Sequence, residues 1–191
     1  MVIFGSGNRI KLISGRYLDL TNPRPEQFVL EDIACGLSKI CRFGGHIHGW
    51  YSVAEHSCHA ALALSACDLN TQRAALMHDA TEAFIGDVVK PLKTILQPNY
   101  GDIEKRLEGI IGEKFSIDFL SAKGMVEKID HALLLAEKEA MTTKTSNESP
   151  WCSDTQAESL KPMVQSVSFM NLWPREAEQL FLQIASKLGL K

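Results

Sequence analysis

The stretch LMHDATEAFIGDVVKPLK, residues 76–93, places one histidine, three carboxylates and two lysines on and just after a segment that otherwise resembles a buried helix. On a helix, Glu82 lies four residues after His78 and three after Asp79, so these side chains project toward one region. Burying an unpaired carboxylate or imidazole is costly, and a divalent cation is an effective partner for such groups. The stretch therefore predicts a helix that contributes to a metal site.

The chain around this stretch has the apolar spacing of amphipathic helices. Apolar residues recur every three or four positions over 30–40 and 126–140, which is the period of one helix face. Ser52 followed by Glu55 predicts a capping box at a helix start, and Pro174 suits the first turn of a final helix. The predicted helices cover about 26–40, 52–66, 71–84, 100–114, 126–141 and 174–187.

Little in the sequence predicts a sheet. β-Branched and aromatic residues surround Ser14 and Gly15 in the segment 10–20, which indicates a short hairpin or an extended arm. The segment 42–51 is a glycine-rich loop, and the loop after residue 84 carries Gly86 and Pro91. Residues 142–162 are polar and aperiodic, and we interpret them as a surface excursion or a lid. The predicted fold is an all-α helical bundle with an N-terminal hairpin or arm.

Length and composition restrict the class of protein. With 191 residues, 45% of them hydrophobic, the chain is long enough for one substantial core, so we expect a single domain over 1–191. A net charge of -3 provides no basic field for a nucleic-acid polymer. Five cysteines without CxxC spacing predict reduced thiols, and no segment resembles a signal peptide or a membrane span. We expect a soluble, cytoplasmic protein without a membrane partner.

Two further polar residues interrupt apolar helix faces. His56 directly follows the predicted capping box, and Asp130 lies between apolar neighbours at the edge of a helix face. Together with His78 and Asp79 they supply two imidazoles and two carboxylates, which suits a catalytic first-row metal with open positions. Taken singly, each residue has a simpler interpretation: a histidine that packs in the core, an aspartate that caps a helix (Asp79), or a solvated carboxylate (Asp130). The other histidines, read as loop or packing residues, are His46, His48, His59 and His131.

The order H…HD…D on successive helices resembles the HD-domain metal-dependent phosphohydrolases. Segments that carry the resemblance are SGRYLDL (14–20), EDIACGLSKICRFGGH (31–46), YSVAEHS (51–57), MHDATEAFIGDVVKPLK (77–93) and IDHALLLAEKEAM (129–141). They are similar to bacterial 5'-deoxynucleotidases and, more closely, to phage dATP triphosphohydrolases. The similarity spans roughly 14–141, and WPREAEQLFL (173–182) fits as well. The resemblance implies an HD-domain bundle that hydrolyses deoxynucleotides.

The expected chemistry is phosphoester hydrolysis, because a cation at this site lowers the pKa of a coordinated water and polarises a phosphoryl oxygen. Glu82 lies close to the four predicted ligands without belonging to them, and the resemblance implies that it is a general acid or base. Arg42 and Lys93 are expected to contact the phosphates, Arg42 as a planar fork and Lys93 as a point charge. Lys90 is expected to be a solvated surface group.

The resemblance also implies a nucleoside pocket. Phe43 and Pro91 would form flat apolar walls for the base, and Asp87 matches a position near the sugar that favours deoxyribose. Gly44 and Gly45 carry no side chains that could narrow the base pocket. A pocket without them rejects the guanine amino group less readily, which weakens the expected selectivity for adenine.

The first predicted function is hydrolysis of dATP to deoxyadenosine and triphosphate, extending to dADP and dAMP, which would deplete the dATP pool. The first alternative is a 5'-deoxynucleotidase that acts on deoxynucleoside monophosphates. The second alternative is a non-catalytic nucleotide-binding or metal-storage protein. The expected cofactor is Co, Mn, Zn, Fe or Ni, with additional Mg at the phosphates. Relatives imply a homo-oligomer, a dimer or hexamer, in the cytoplasm of a bacterium or a phage-infected host cell.

Overall fold

The computed structural model describes residues 7–143, 162–165 and 167–191. An antiparallel hairpin opens the described chain, with β1 over Arg9–Lys11 and β2 over Tyr17–Asp19. Gly15, at a φ of +84°, turns the chain between the strands, and Leu18 is fully buried against the helices. The predicted N-terminal hairpin is therefore confirmed, and so is the all-α class of the remainder.

Helices form almost all of the other regular structure in the described part of the chain. They are α1 (Leu30–Ser38), α2 (Val53–Ala63), α3 (Leu69–Met77), α4 (Glu82–Ile85), α5 (Lys90–Ile95), α6 (Asn99–Phe115), α7 (Phe119–Met141) and α8 (Pro174–Lys187). Short 3-10 turns cover Pro25–Gln27 and Arg42–Gly45. The final helix has the predicted bounds.

Helix α2 lies at the centre of the bundle, in contact with α1, α3, α7 and α8. Every residue from Val53 to Ala61 is buried, including two histidines and a glutamate. Alanine, serine and cysteine make up most of this helix, so neighbouring backbones approach it closely. Large apolar side chains from the surrounding elements complete the core, among them Phe28, Ile33, Leu76, Ile129 and Phe181. Polar groups on α2 therefore face protein, and each needs a partner.

The predicted continuous helix over 71–84 is wrong. Helix α3 ends at Met77, and the backbone then tightens, with Ala80 N bonding Met77 O at 3.0 Å and Glu82 N bonding Asp79 O at 2.9 Å. These bonds span three residues instead of four, so the helix axis breaks before α4 begins. His78 and Asp79 consequently lie in the turn between two helices.

Two other helix predictions need correction. The first residues of α7 lie seven positions before the predicted start, because Asp118 caps the helix by accepting a bond from Ser121 N at 3.0 Å. This first part is mostly exposed and therefore lacks the apolar period on which the prediction rested. Helix α5 was predicted as a loop on account of Pro91, but that proline lies in the first helical turn, where a missing N–H is tolerated.

The predicted capping box at Ser52 is half correct. Ser52 Oγ accepts a hydrogen bond from Glu55 N at 3.1 Å, so the serine caps α2. Glu55 does not return the bond, because its carboxylate accepts bonds from Met170 N and Leu172 N, each at 2.8 Å. The buried Glu55 thus ties the segment that precedes α8 to the central helix.

Some expectations concern residues that the structure does not describe. The predicted excursion or lid over 142–162 lies mainly in 144–161, outside the described residues. Four of the five cysteines are described, and all four are free thiols. Among the described helices, none combines the length and the apolar character required to cross a lipid bilayer.

Candidate metal centre

The structure groups three of the four predicted metal ligands, His56, His78 and Asp79, and places the fourth, Asp130, against the two imidazoles. His56 comes from α2, His78 and Asp79 from the turn after α3, and Asp130 from α7. His56 Nε2 lies 3.3 Å from His78 Nε2 and 3.1 Å from Asp130 Oδ1. His78 Nε2 lies 3.2 Å from Asp79 Oδ2, and the remaining imidazole–carboxylate separations are 3.7 and 3.8 Å. The ligand atoms of His56, His78 and Asp79 all lie within 4.8 Å of one another.

These separations fit donors arranged around a single cation. At a metal–ligand distance of about 2.1 Å, two donors at a right angle lie about 3.0 Å apart, and two at the tetrahedral angle about 3.4 Å apart. The donor set of two imidazole nitrogens and two carboxylates matches the preference of divalent first-row metals. The residues present therefore fit a divalent transition-metal ion.

Hydrogen bonds behind the two imidazoles orient them toward the centre. His78 Nδ1 lies 2.8 Å from Ala75 O, and His56 Nδ1 lies 2.5 Å from Glu137 Oε1. An oxygen that accepts the Nδ1 proton leaves the Nε2 lone pair available for a metal. Both histidines thus present the same ring nitrogen to the shared point.

In the metal-free protein, protons on the two imidazoles balance the negative charge of the neighbouring carboxylates. Burial alone would lower the pKa of His78, but the carboxylates of Asp79 and Asp130 outweigh it, and the pKa lies well above its usual value. The pKa of His56 is also raised, against the effect of its burial. Burial would raise the pKa of Asp79, but the imidazole of His78 lowers it to about 2. Metal binding therefore has to displace protons from the imidazoles.

Glu137 was not predicted from the sequence. It lies on α7 with no exposed surface, and besides His56 it accepts bonds from Tyr51 Oη at 3.1 Å and from Arg42 Nε at 3.0 Å. Its position, seven residues after Asp130, places both carboxylates on one face of the helix, two turns apart. That spacing within an apolar stretch was the available signal in the sequence.

Arg42 was predicted to contact substrate phosphate, and the structure gives it two protein partners. Its Nε lies 3.0 Å from Glu137 Oε2, and its Nη1 lies 3.6 Å from Asp79 Oδ2. Only 11% of its side chain is exposed. The guanidinium is thus held between a predicted metal ligand and the carboxylate behind His56.

Lys93 likewise has protein partners. Its Nζ lies 3.2 Å from Glu82 Oε1 and 3.0 Å from Glu104 Oε1. Glu82 is buried, and its other oxygen, Oε2, has no hydrogen-bond partner among the described residues. Burial, followed by the negative charges of Asp79 and Asp87, raises the pKa of Glu82 to about 8, although Lys93 opposes this shift. Glu82 can therefore hold a proton at neutral pH.

The residues predicted for the nucleoside pocket lie in the 3-10 turn Arg42–Gly45 and in the segment 87–91, which enters α5. Phe43, Gly44 and Gly45 have φ values of +57°, +60° and +79°, so the two glycines meet a backbone requirement that strains Phe43. No atom of the described residues lies within 4 Å of where a Cβ on Gly45 would be. Asp87 has a pKa raised by burial first and then by Asp79. Pro91 is exposed.

A cleft of about 320 Å³ opens beside the metal centre, between α3, α6 and α7. Its described lining residues are Ala74, His78, Glu108, Phe119, Leu120, Lys123, Val126, Glu127 and Asp130. Two predicted metal ligands thus form one end of it, while none of the predicted nucleoside-pocket residues is among them. The sequence did not indicate this cleft, because its walls come from helices far apart in the chain.

His59 is a packing residue, as interpreted from the sequence. Its Nδ1 lies 2.9 Å from Tyr51 Oη, and its ring stacks on that tyrosine with centroids 5.9 Å apart. Burial first, and the neighbouring His56 second, lower the pKa of His59 to about 4. It is therefore neutral at physiological pH, and its contacts are those of a buried packing residue.

Comparison with known proteins gives relatives without an assigned function. No family model matches the chain. It is 40% identical over 108 residues to the uncharacterized protein YfdR of Escherichia coli K12, covering 56% of this chain and 58% of YfdR. It is 36% identical over 113 residues to the uncharacterized protein RCAP_rcc00048 of Rhodobacter capsulatus, with the same shares covered. The chain thus spans somewhat more than half the length of the curated relatives it matches.

Proposed function

We propose that this protein is a metal-dependent phosphohydrolase of deoxynucleotides, with dATP as its first substrate and deoxyadenosine and triphosphate as products. The observation that carries the proposal is the convergence of His56, His78, Asp79 and Asp130 beside the buried Glu82. The resemblance of the flanking segments to HD-domain deoxynucleotide hydrolases supplies the substrate class.

The four converging residues would hold a divalent transition-metal ion, chosen among Mn, Fe, Co, Ni and Zn by geometry and availability. When bound, such an ion lowers the pKa of water and neutralises charge on a phosphoryl oxygen. The chain's own contribution is orientation, since the Nδ1 contacts of His56 and His78 fix which ring nitrogen faces the ion.

Glu82 is the proton donor of the proposed reaction. Burial raises the pKa of Glu82 to about 8 in the metal-free protein, and Oε2 carries no competing hydrogen bond among the described residues. Oε2 protonates the 5' oxygen of the nucleoside as its bond to phosphorus breaks. Lys93, 3.2 Å from Oε1, then stabilises the carboxylate that remains.

The cleft between α3, α6 and α7 accommodates the nucleoside. Its volume is at the lower end of small-molecule sites, and Phe119 and Val126 give it apolar walls. Glu108 repels phosphate but accepts hydrogen bonds from sugar hydroxyls and base amino groups. The phosphates would extend toward Arg42 and Lys93. The loop of Phe43 with Pro91 is the alternative position for the base.

The monophosphate 5'-nucleotidase remains a second candidate because of the charges near the centre. Arg42 and Lys93, the two cations predicted to meet phosphate, each lie within 4 Å of two carboxylates. Within the described ranges they therefore offer little unpaired positive charge. A monophosphate, with the smaller negative charge, requires less compensation than a triphosphate, which needs accompanying Mg²⁺ at this site.

A substrate panel tests the proposal. Metal-stripped protein is reconstituted with Mn²⁺, Co²⁺, Ni²⁺, Fe²⁺ or Zn²⁺ and incubated with each of the four dNTPs and the four dNMPs. Ion chromatography then identifies triphosphate or orthophosphate. Triphosphate from dATP supports the first function, and orthophosphate from monophosphates alone supports the second. A non-catalytic protein would bind metal and nucleotide without turnover, and Glu82→Gln would change neither binding nor turnover.

A further inference from the structure

Glu137 is a fully buried carboxylate outside the predicted ligand set. Burying an ion costs several kcal/mol, which only well-placed partners offset. Three donors surround this one: His56 Nδ1 at 2.5 Å, Tyr51 Oη at 3.1 Å and Arg42 Nε at 3.0 Å. Two of the three partners touch the metal centre directly, since His56 Nε2 faces it and Arg42 Nη1 lies 3.6 Å from Asp79 Oδ2.

The two oxygens of Glu137 divide these contacts. Oε1 contacts His56 and Tyr51, while Oε2 accepts from Arg42. One oxygen therefore fixes the ring that presents Nε2 to the centre, and the other fixes the guanidinium beside Asp79. A single buried group thus braces one predicted ligand from each of two separate segments of the chain.

We propose that Glu137 is a positioning residue of the metal centre, which holds His56 in its Nδ1–H tautomer and holds Arg42 against Asp79. This inference rests on the proposed metal site. Outer-shell carboxylates that bond to metal-ligating histidines raise the basicity of the ring and fix its orientation. Arg42 consequently belongs to the support of the metal centre, in addition to any contact it makes with phosphate.

The inference predicts loss of metal affinity without loss of any ligand. Glu137→Gln keeps the size of the side chain and an acceptor for His56, but it removes the charge that pairs with Arg42. We expect its dissociation constant for Co²⁺ or Mn²⁺ to rise about 10-fold, within the range for outer-shell substitutions. Tyr51→Phe removes one of the three donors to Glu137 and keeps the carboxylate, so the dissociation constant should rise less, about threefold.

Calorimetric titration of the metal-stripped full chain with Co²⁺ alone measures these constants. Two-dimensional ¹H–¹⁵N spectra of the histidine rings, recorded without metal at a pH above the pKa of His56, where its ring is neutral, report the tautomer of His56. It should be Nδ1–H in the unaltered protein and mixed in Glu137→Gln. Glu113→Gln, an exposed carboxylate on α6, is the matched control and should leave both readouts unchanged. If Glu137→Gln does not fold, Tyr51→Phe provides the test through the Co²⁺ dissociation constant.

The outcomes separate this inference from the proposed function. If the unaltered protein binds Co²⁺, His78→Ala abolishes binding and Glu137→Gln binds as tightly as before, the metal site stands and the positioning role is refuted. In the fallback test, a Co²⁺ dissociation constant of Tyr51→Phe equal to that of the unaltered protein would refute it equally. If His78→Ala leaves Co²⁺ binding unaltered, the proposed metal site itself fails, and the inference falls with it.

Discussion

Lys93 Nζ lies 3.2 Å from Glu82 Oε1, so the lysine predicted to meet substrate phosphate is paired with the predicted proton donor. Glu104 Oε1 completes the arrangement at 3.0 Å from the same nitrogen. Lys93 therefore acts on the proton affinity of Glu82 as well as on any phosphate nearby. This coupling makes the pH dependence of the reaction a readout of the ion pair.

Lys93→Gln should move the alkaline limb of the pH–rate profile to higher pH. Burial raises the pKa of Glu82 to about 8, and Lys93 holds it below what burial and the carboxylates alone would give. Without the lysine, the protonated acid persists to higher pH, by about one pH unit. Measuring kcat/KM from pH 6 to 10 tests this. Lys90→Gln, an exposed lysine on the same helix, is the control, and identical limbs in both variants would exclude the coupling.

Glu82→Gln should lower the rate about 10²-fold or more, because the amide cannot deliver a proton.

Glu82→Gln should also alter the pH dependence of stability. In the folded protein Glu82 keeps its proton up to about pH 8, whereas in the unfolded chain it ionises near 4.5. Stability therefore falls as the pH rises through this window. Urea unfolding with a chelator present should show a smaller loss between pH 5 and pH 8 for Glu82→Gln than for the unaltered protein.

Metal uptake at pH 7 should release protons. The pKa values of His56 and His78 are raised in the metal-free protein by the nearby carboxylates, against the effect of burial, so a cation has to displace protons from these rings. Titration calorimetry in two buffers of different ionisation enthalpy counts the protons released. The affinity for the metal should weaken as the pH falls. A binding enthalpy that is the same in both buffers would show that no protons are released and would contradict the prediction.

The four metal ligands could be predicted from the sequence as a hypothesis. The residues that orient them could not. His56, His78, Asp79 and Asp130 each interrupt an apolar segment, which the amino-acid order alone displays. The contact between Arg42 and Glu137 could not be predicted in this way, because the two residues are 95 positions apart and only tertiary packing brings them together. Glu137 is followed directly by Lys138 and Glu139, and a charged run near the end of an amphipathic helix is normally interpreted as solvated.

Secondary structure followed from the sequence wherever a cap and an apolar period agree. The bounds of α8, Pro174–Lys187, were predictable because proline suits the first turn and the apolar residues keep one face. The break after Met77 was not, since a tightened turn of three-residue bonds leaves the apolar period almost unchanged. That break sets the positions of His78 and Asp79. More of the fold than of the site geometry could therefore be predicted from the sequence.

Charge substitutions at the mouth of the cleft should alter KM in opposite directions. Lys123 and Glu127 both line the cleft and have exposed side chains, so either can be replaced at little cost to folding. If an anionic nucleotide enters here, Glu127→Lys lowers KM and Lys123→Glu raises it, by about threefold each at low salt and less at high salt. Glu113→Lys on α6 controls for net charge. Equal KM values in all three variants would place the entrance elsewhere, as at the loop of Phe43.

Gly36→Ala should destabilise the protein and reduce activity together. A Cβ on Gly36 would lie 2.8 Å from both Cβ and the carbonyl oxygen of Ala83, because α1 and α4 approach closely there. Relieving that clash costs about 1–3 kcal/mol and shifts the helix that begins with Glu82. Gly124→Ala is the matched control, since no described residue crowds this exposed helical glycine and the substitution should stabilise by about 0.5–1 kcal/mol. Urea unfolding compares the two, and equal stabilities would refute the close contact between α1 and α4.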